Sequence, residues 1–248
     1  SFSGIAALWL AGMSPFDAVN HALSTVSTGG FSTKNTSIAY WHSPVIEWII
    51  IVLMTGSAIN LSLYYFLAVG NFRRFFKDEE MRTLIAIIVS TSAIIVFTQL
   101  IFWGFPLEDI GENVRGALFT VSSLISTTGF YSVDYSGWIS VAYMLLLLTF
   151  VGGSAGSTSG GIKVIRVLLV FKYCYYEFKR MVHPHAVFPV RYNGRAVKEE
   201  YITRMLAFIL LYVILSLFGA MILCISGLGF EESISSMVSC LGNVGPGL

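Results

Sequence analysis

The sequence predicts an all-α membrane protein built from repeated modules, each a span, a short re-entrant helix, a glycine turn and a second span. Three observations predict it. Of its 248 residues 55% are hydrophobic and only 12% charged, against about 25% charged in soluble domains, and the mean hydropathy is +0.75. Four long apolar runs cover residues 45–69, 84–103, 138–176 and 201–226. Between them lie three shorter amphipathic segments, 16–27, 112–124 and 231–240, each ending in a polar glycine turn.

The opening stretch, SFSGIAALWLAG, is apolar but falls short of the roughly 20 helical residues that a hydrocarbon core requires. It reads as the outer half of a truncated span; it has no basic leader or cleavage site of a signal peptide. The amphipathic segments, at about 12 residues each, are too short to cross and read as re-entrant. Runs 45–69, 84–103 and 201–226 each suit one span, whereas 138–176 is nearly twice that length. Gly30, Gly129 and Gly245 align 99 and 116 residues apart, the period of a duplicated membrane module and not of a solenoid. Three copies around a pore that closes by symmetry imply a fourth, and hence a pseudo-fourfold arrangement.

Charge sets the sidedness. Of 15 Lys and Arg, all but Lys34 and Arg115 fall within residues 73–82 and 163–204, which the positive-inside rule makes cytoplasmic. The three turns then face outside. Trp9, Trp41, Trp48, Trp103 and Trp138 fall at outer ends of spans, as an interfacial aromatic belt requires. A formal net charge of +1 points to no nucleic-acid partner. Cys174, Cys224 and Cys240 are too scattered for a disulfide framework or a zinc site.

Each short helix starts with acid. Ser14, Pro15 and Asp17 form an N-cap, a first helical proline and a capping-box partner; Asp109 and Glu112 introduce the second copy, Glu231 and Glu232 the third. The helix C-terminus, its negative end, then points into the bilayer and favours a cation. An extended backbone through glycine can turn several carbonyls to one side, and rings of carbonyls replace the water shell of a potassium ion. The candidates are Thr28, Gly29, Gly30 and Phe31; Thr127, Thr128, Gly129 and Phe130; and Asn243, Val244, Gly245 and Pro246. Ordinary extracellular turns are the competing reading for any one copy. Recurrence after three acid-started helices argues against it.

The overlong third run is interrupted by GGSAGSTSGGIK, expected to divide it into pieces of about 14 residues. Gly152, Gly153, Ser154, Ala155, Gly156, Ser157, Thr158, Ser159, Gly160, Gly161 and Lys163 cannot hold a regular helix in lipid, so the stretch must line a cavity or pack on protein. It reads as a gating loop below the filter or, alternatively, as a kink for close helix packing. A phosphate-binding loop is excluded because Lys163 is followed by Val164 and not by Ser or Thr. His183 and His185 lie in a basic linker without further metal ligands. No nucleophile, base and orienter set points to an enzyme.

The stretches STVSTGGFS, STTGFYSVDYSGW, GGSAGSTSGGIKVIR, RMVHPHAVFPV and LGNVGPGL resemble the Trk/Ktr/HKT superfamily of potassium transporters, most closely the Trk-type potassium uptake membrane subunit. The resemblance implies four pore modules, one potassium pathway per subunit and a homodimer in the bacterial inner membrane. A cytoplasmic nucleotide-binding ring would regulate it, and potassium would be the substrate, with no cofactor. It makes residues 1–72 the second module with its first span truncated, 73–180 the third with a broken second span, and 181–248 a cytoplasmic linker and a fourth module lacking its last span. Gly30, Gly129 and Gly245 become filter glycines and 152–161 the gating loop. Alternatives are a sodium-permeable relative, whose distinguishing residue would sit in the first module, and an ion-coupled secondary carrier, which needs a buried ionisable group near the midplane.

Overall fold

In the computed structural model, residues 2–102, 109–135, 137–183 and 188–246 are described, so Trp103, His185, Gly247 and Leu248 lie outside the described residues. Helix α1 (Phe2–Leu10) leads into α2 (Pro15–Val26), then α3 (Pro44–Ala58), α4 (Leu61–Ala68), α5 (Phe72–Lys77) and α6 (Glu79–Phe102). Next come α7 (Ile110–Ile125), α8 (Ala142–Val151) and α9 (Val164–Val182). A hairpin of β1 (Arg191–Tyr192) and β2 (Arg195–Ala196) precedes α10 (Glu199–Ile225) and α11 (Phe230–Gly242). The three amphipathic segments are thus α2, α7 and α11.

Local chemistry explains their starts. The extended Ser14 accepts the Asp17 N–H at 3.1 Å through its hydroxyl, and Pro15 needs no acceptor for a missing N–H. The Asp17 carboxylate receives the Ser14 hydroxyl at 2.9 Å, a variant of the capping box, which would bond the backbone N–H. At α11 the Glu232 carboxylate accepts the Gly229 N–H at 3.2 Å. At α7 Asp109 makes no side-chain capping bond, and Glu112 in the first turn complements the helix dipole.

Two of the long runs depart from expectation. Run 45–69 is not one continuous helix: α3 and α4 are bent by 101°. The Ala58 carbonyl, instead of taking the N–H four residues on, accepts the Ser154 N–H at 2.9 Å, and the Leu61 N–H goes to the Gly156 carbonyl at 3.1 Å. Asn60 caps α4 through Ser62 N–H at 2.9 Å. Run 138–176 does break, but unevenly, into the 10-residue α8 and the 19-residue α9, whose second half is basic and aromatic. Among the described residues α6 and α10 are long and apolar enough to cross a membrane, and α3 with α4 makes a third if the bent pair counts as one.

Apolar packing holds the pieces together. One core joins Leu8 of α1, Ala22 of α2 and Ile50 of α3 with Phe119 and Phe130; another joins Leu84, Ile88 and Ile95 of α6 to Val121 and Leu124 of α7 and Leu145 of α8. Outside them, α10 exposes Leu210, Leu211, Ile214, Leu217 and Phe218, an apolar surface too large for water and suited to lipid. Trp9 and Trp48 are exposed, whereas Trp41 is half-buried, edge-on to His21 and packed against the first core. Trp138 departs from the belt: it is 7% exposed and packs against Tyr135 and Val141 in the core.

Arg115 of α7 donates through Nε to Glu47 of α3 at 2.5 Å, with both side chains largely buried. Arg115→Met leaves a buried carboxylate unpaired and should lower stability by about 3 kcal/mol. Thermal unfolding in detergent should show that loss, and Glu47→Met in the same chain should restore most of it. Equal losses for the single and double variants would refute the pairing.

Candidate functional site

The three turns share one backbone solution. After α2 the Thr28 N–H donates to the Thr25 carbonyl at 3.1 Å and the Gly29 N–H to the Ser24 carbonyl at 2.7 Å. After α7, Thr127 donates to Leu124 at 3.1 Å and Thr128 to Ser123 at 3.0 Å. After α11, Asn243 donates to Cys240 at 3.1 Å and Val244 to Ser239 at 2.9 Å. This pairing is a Schellman helix end, whose left-handed residue is usually glycine. Here it is Thr28, Thr127 and Asn243, at φ of 54°, 55° and 56°. For a β-branched threonine that conformation costs about 1–2 kcal/mol.

Two residues later the chain turns left-handed again, at Gly30 (φ 68°), Gly129 (φ 81°) and Gly245 (φ 106°). Alternating hands of this kind bring successive carbonyls toward a common side. A serine six residues before each glycine staples the loop to its helix. Ser24 Oγ accepts the Phe31 N–H at 2.8 Å. Ser123 Oγ donates to the Phe130 carbonyl at 2.6 Å, and Ser239 Oγ donates to the Pro246 carbonyl at 2.7 Å while accepting the Gly245 N–H at 3.1 Å.

The loops also meet one another in order. A Cβ added at Gly30 would collide with the Thr128 carbonyl oxygen, and one at Gly129 with the Val244 carbonyl oxygen and, at 2.9 Å, with Pro246 Cδ. First loop packs on second, second on third. Beside Gly245 such an atom would meet nothing within 4 Å among the described residues.

The interruption between α8 and α9 runs beneath all three loops. Thr28 Oγ1 donates to the Thr158 carbonyl at 3.0 Å, and Thr158 Oγ1 to the Val26 carbonyl at 3.1 Å. Gly160 N–H donates to Thr127 Oγ1 at 2.7 Å, and a Cβ at Gly160 would lie 2.9 Å from the Gly242 carbonyl carbon. The left-handed threonines therefore spend their hydroxyl groups on the loop below. From the other side the Glu80 carboxylate, 2% exposed at the start of α6, accepts N–H groups from Ala155 at 2.6 Å and Ile165 at 3.2 Å. Lys163 closes the loop by donating through Nζ to the Ser159 carbonyl.

The candidate residues are brought together, with one division. Thr28, Thr127 and Thr128 are buried at the contacts between loops, whereas the Phe31 side chain is 80% exposed and Phe130 is a core residue stacked on His21. The carbonyls of Phe130 and Pro246 are engaged by their serines, whereas in the first loop Ser24 takes the Phe31 N–H instead. His21, fully buried, bonds the Asp17 carbonyl through Nδ1 at 2.8 Å, which makes Nδ1 the donor; Nε2 then accepts from the Ser32 hydroxyl at 2.8 Å. At the helix start, the Thr33 hydroxyl holds the Asp17 carboxyl below the usual carboxylate range, against the raising effect of burial. Sequence reasoning missed Ser24, Ser123 and Ser239, although the common six-residue offset was a readable signal. It also missed Glu80, Asn60 and His21, which carry no such signal.

A profile of the cation transport protein family TrkH matches residues 3–248. The Trk system potassium uptake protein TrkH of Salmonella typhimurium is 35% identical over 245 residues, covering 98% of this chain and 50% of that protein. Its counterpart in Escherichia coli strain K12 is 34% identical over 244 residues, with the same coverage. The crystal structure of the potassium transporter TrkH from Vibrio parahaemolyticus superposes with a TM-score of 0.93 at 33% identity, over 100% of this chain and 53% of that one. The chain thus spans about half the length of these relatives.

Removing the Glu80 acceptor should free the interruption. Glu80→Leu leaves two buried N–H groups unbonded, about 2 kcal/mol, so amide hydrogen exchange across residues 152–165 should quicken by about thirtyfold; Glu80→Gln, which keeps an acceptor oxygen, should change it little. Equal protection in the Leu variant and the parent would show that Glu80 does not hold the loop.

Proposed function

The chain belongs to the TrkH family of cation transport proteins, and from that premise we propose that it supplies three of the four filter segments of a potassium uptake pore and the gate beneath them. The observation that carries this reading is the threefold repeat of one turn, each copy at a helix C-terminus, with Gly30 packed on the second copy's Thr128 carbonyl and Gly129 on the third copy's Val244 carbonyl. In this reading residues 1–72, 73–180 and 181–248 are the second, third and fourth pore modules. A fourth filter loop, from the part of the family's length that this chain does not span, would stand beside Gly245 and complete a pseudo-fourfold ring.

The chemistry is permeation. Carbonyls of Thr28, Gly29 and Gly30, of Thr127, Thr128 and Gly129, and of Asn243, Val244 and Gly245 would replace the hydration shell of the ion, and the negative ends of α2, α7 and α11 would add a favourable field. The residues from Gly152 to Lys163 would obstruct the path just below. Their bonds to Thr28 and Thr127 couple gate to filter, so opening requires those hydroxyls to find other partners. The family resemblance supports an inner-membrane homodimer with outward-facing filters and a cytoplasmic nucleotide-binding ring acting on the gate.

One observation favours a second reading, an ion-coupled carrier. Buried Glu80 and half-buried Lys163 both touch the interruption, where a coupled transporter would place its ionisable groups. The distinction is energetic: a pore equilibrates potassium with the membrane potential, whereas a carrier moves it further with a proton or sodium gradient.

Rubidium uptake into vesicles carrying the full-length parent should be suppressed by added potassium and not by sodium. Equal suppression by both would identify a sodium-permeable relative. Gly129→Ser should lower potassium-over-sodium discrimination by about tenfold, since a Cβ there is strained at positive φ and collides with the Val244 carbonyl. Unaltered discrimination would remove Gly129 from the filter.

A further inference from the structure

We infer that a basic cleft between α5 and the β1–β2 hairpin binds the phosphate group of an anionic phospholipid. The cleft measures about 990 Å³ and is lined by Arg73, Arg74, Lys77, Arg82 and Arg195. None of the five is ion-paired among the described residues. Two acids line it as well, and both are already engaged. Asp78 accepts from the Asn193 amide at 2.7 Å, and Glu79 pairs with Lys172 at 2.5 Å.

The far wall is built, not incidental. Asn193 (φ 48°) and Gly194 (φ 79°) make the left-handed pair that a two-residue hairpin demands. The Asn193 side-chain oxygen Oδ1 then accepts the Glu79 N–H at 2.9 Å, fixing the hairpin against the start of α6 and delivering Arg195 to the cleft. Burial, together with the Asp78 charge, raises the Tyr192 hydroxyl above its ordinary range, so it stays a protonated donor to Asp78. Five cations against the single uncompensated charge of Asp78 leave a positive surplus, and Arg74 is held in place over the Phe66 ring at 4.3 Å.

Helix α5 supplies the reason to choose a lipid. Its sequence, FRRFFK, buries Phe75 and leaves Phe72 and Phe76 59% and 61% exposed, one turn apart on one face. Aromatic side chains entering the acyl boundary beside arginines at phosphate depth are the signature of an interfacial helix. Basic pockets beside the cytoplasmic ends of spans take lipid head groups, and guanidinium forks match phosphate oxygens. Both long spans, α6 and α10, begin at this end of the molecule. A free phosphate offers the same oxygens but gives Phe72 and Phe76 nothing to enter.

The inference rests on the membrane orientation of the proposed function, but its readout is lipid retention and not flux, so either can fail without the other. Native mass spectrometry of the full-length parent, released from detergent with phosphatidylglycerol or phosphatidylcholine of matched chains, should show preferential retention of phosphatidylglycerol. Arg73→Gln/Arg74→Gln/Arg195→Gln should weaken that retention by about tenfold, and a control of equal charge, Lys179→Gln/Arg180→Gln/Arg204→Gln, should leave it unchanged. Undiminished retention in the cleft variant, or equal loss in the control, overturns the site. Uptake of inorganic phosphate without preference between the two lipids overturns the lipid as its source.

Discussion

Two bonds between broken helices, Ser154 N–H to the Ala58 carbonyl and Leu61 N–H to the Gly156 carbonyl, carry the constraint on which the rest of the structure depends. Backbone groups at membrane depth have no water to turn to, so a helix can stop there only if protein satisfies what it leaves unbonded. Here one interruption satisfies another. The bend between α3 and α4 gives the α8–α9 break its partners, and that break can therefore remain irregular while it underlies the three turns. Glu80 completes the enclosure by taking the Ala155 and Ile165 N–H groups.

Two of the three turns are strained, and they repeat the strain. A threonine at positive φ is unfavourable alone, yet Thr28 and Thr127 hold it at 54° and 55° because the following N–H reaches back five residues and the hydroxyl bonds the interruption below. Strain of this kind persists only where surroundings over-determine it. The serine staples do so locally and the glycine-on-carbonyl contacts do so between copies. The turns and the α8–α9 break share hydrogen bonds, which makes their conformations interdependent.

Much of this was legible. The short helices were readable from acid and proline at their starts and from amphipathic spacing, and the turns from glycines at a module period. The stapling serines were legible too, six residues ahead of each glycine, but only a structure shows what a serine at that offset does. The run 45–69 misled because Gly56, Ser57 and Asn60 are weak helix breakers by propensity; the break is imposed by residues nearly a hundred positions away. Trp138 misled for a related reason: an aromatic at a span end suits the interface or the core equally, and packing against Tyr135 decided for the core.

By itself, the sequence determined what depends on neighbours within about five residues: helix starts, Schellman ends, the left-handed positions that glycine permits, and the apolar lengths that require lipid. Tertiary structure alone decided which carbonyl meets which glycine, where the run 45–69 breaks, that Glu80 is an acceptor and not a surface acid, and that five cations line one cleft without ion-pair partners among the described residues. The reason is range. Local dihedral and capping energies are written in adjacent residues, whereas a hydrogen bond such as Thr28 to Thr158, 130 positions apart, exists only after the helices have packed.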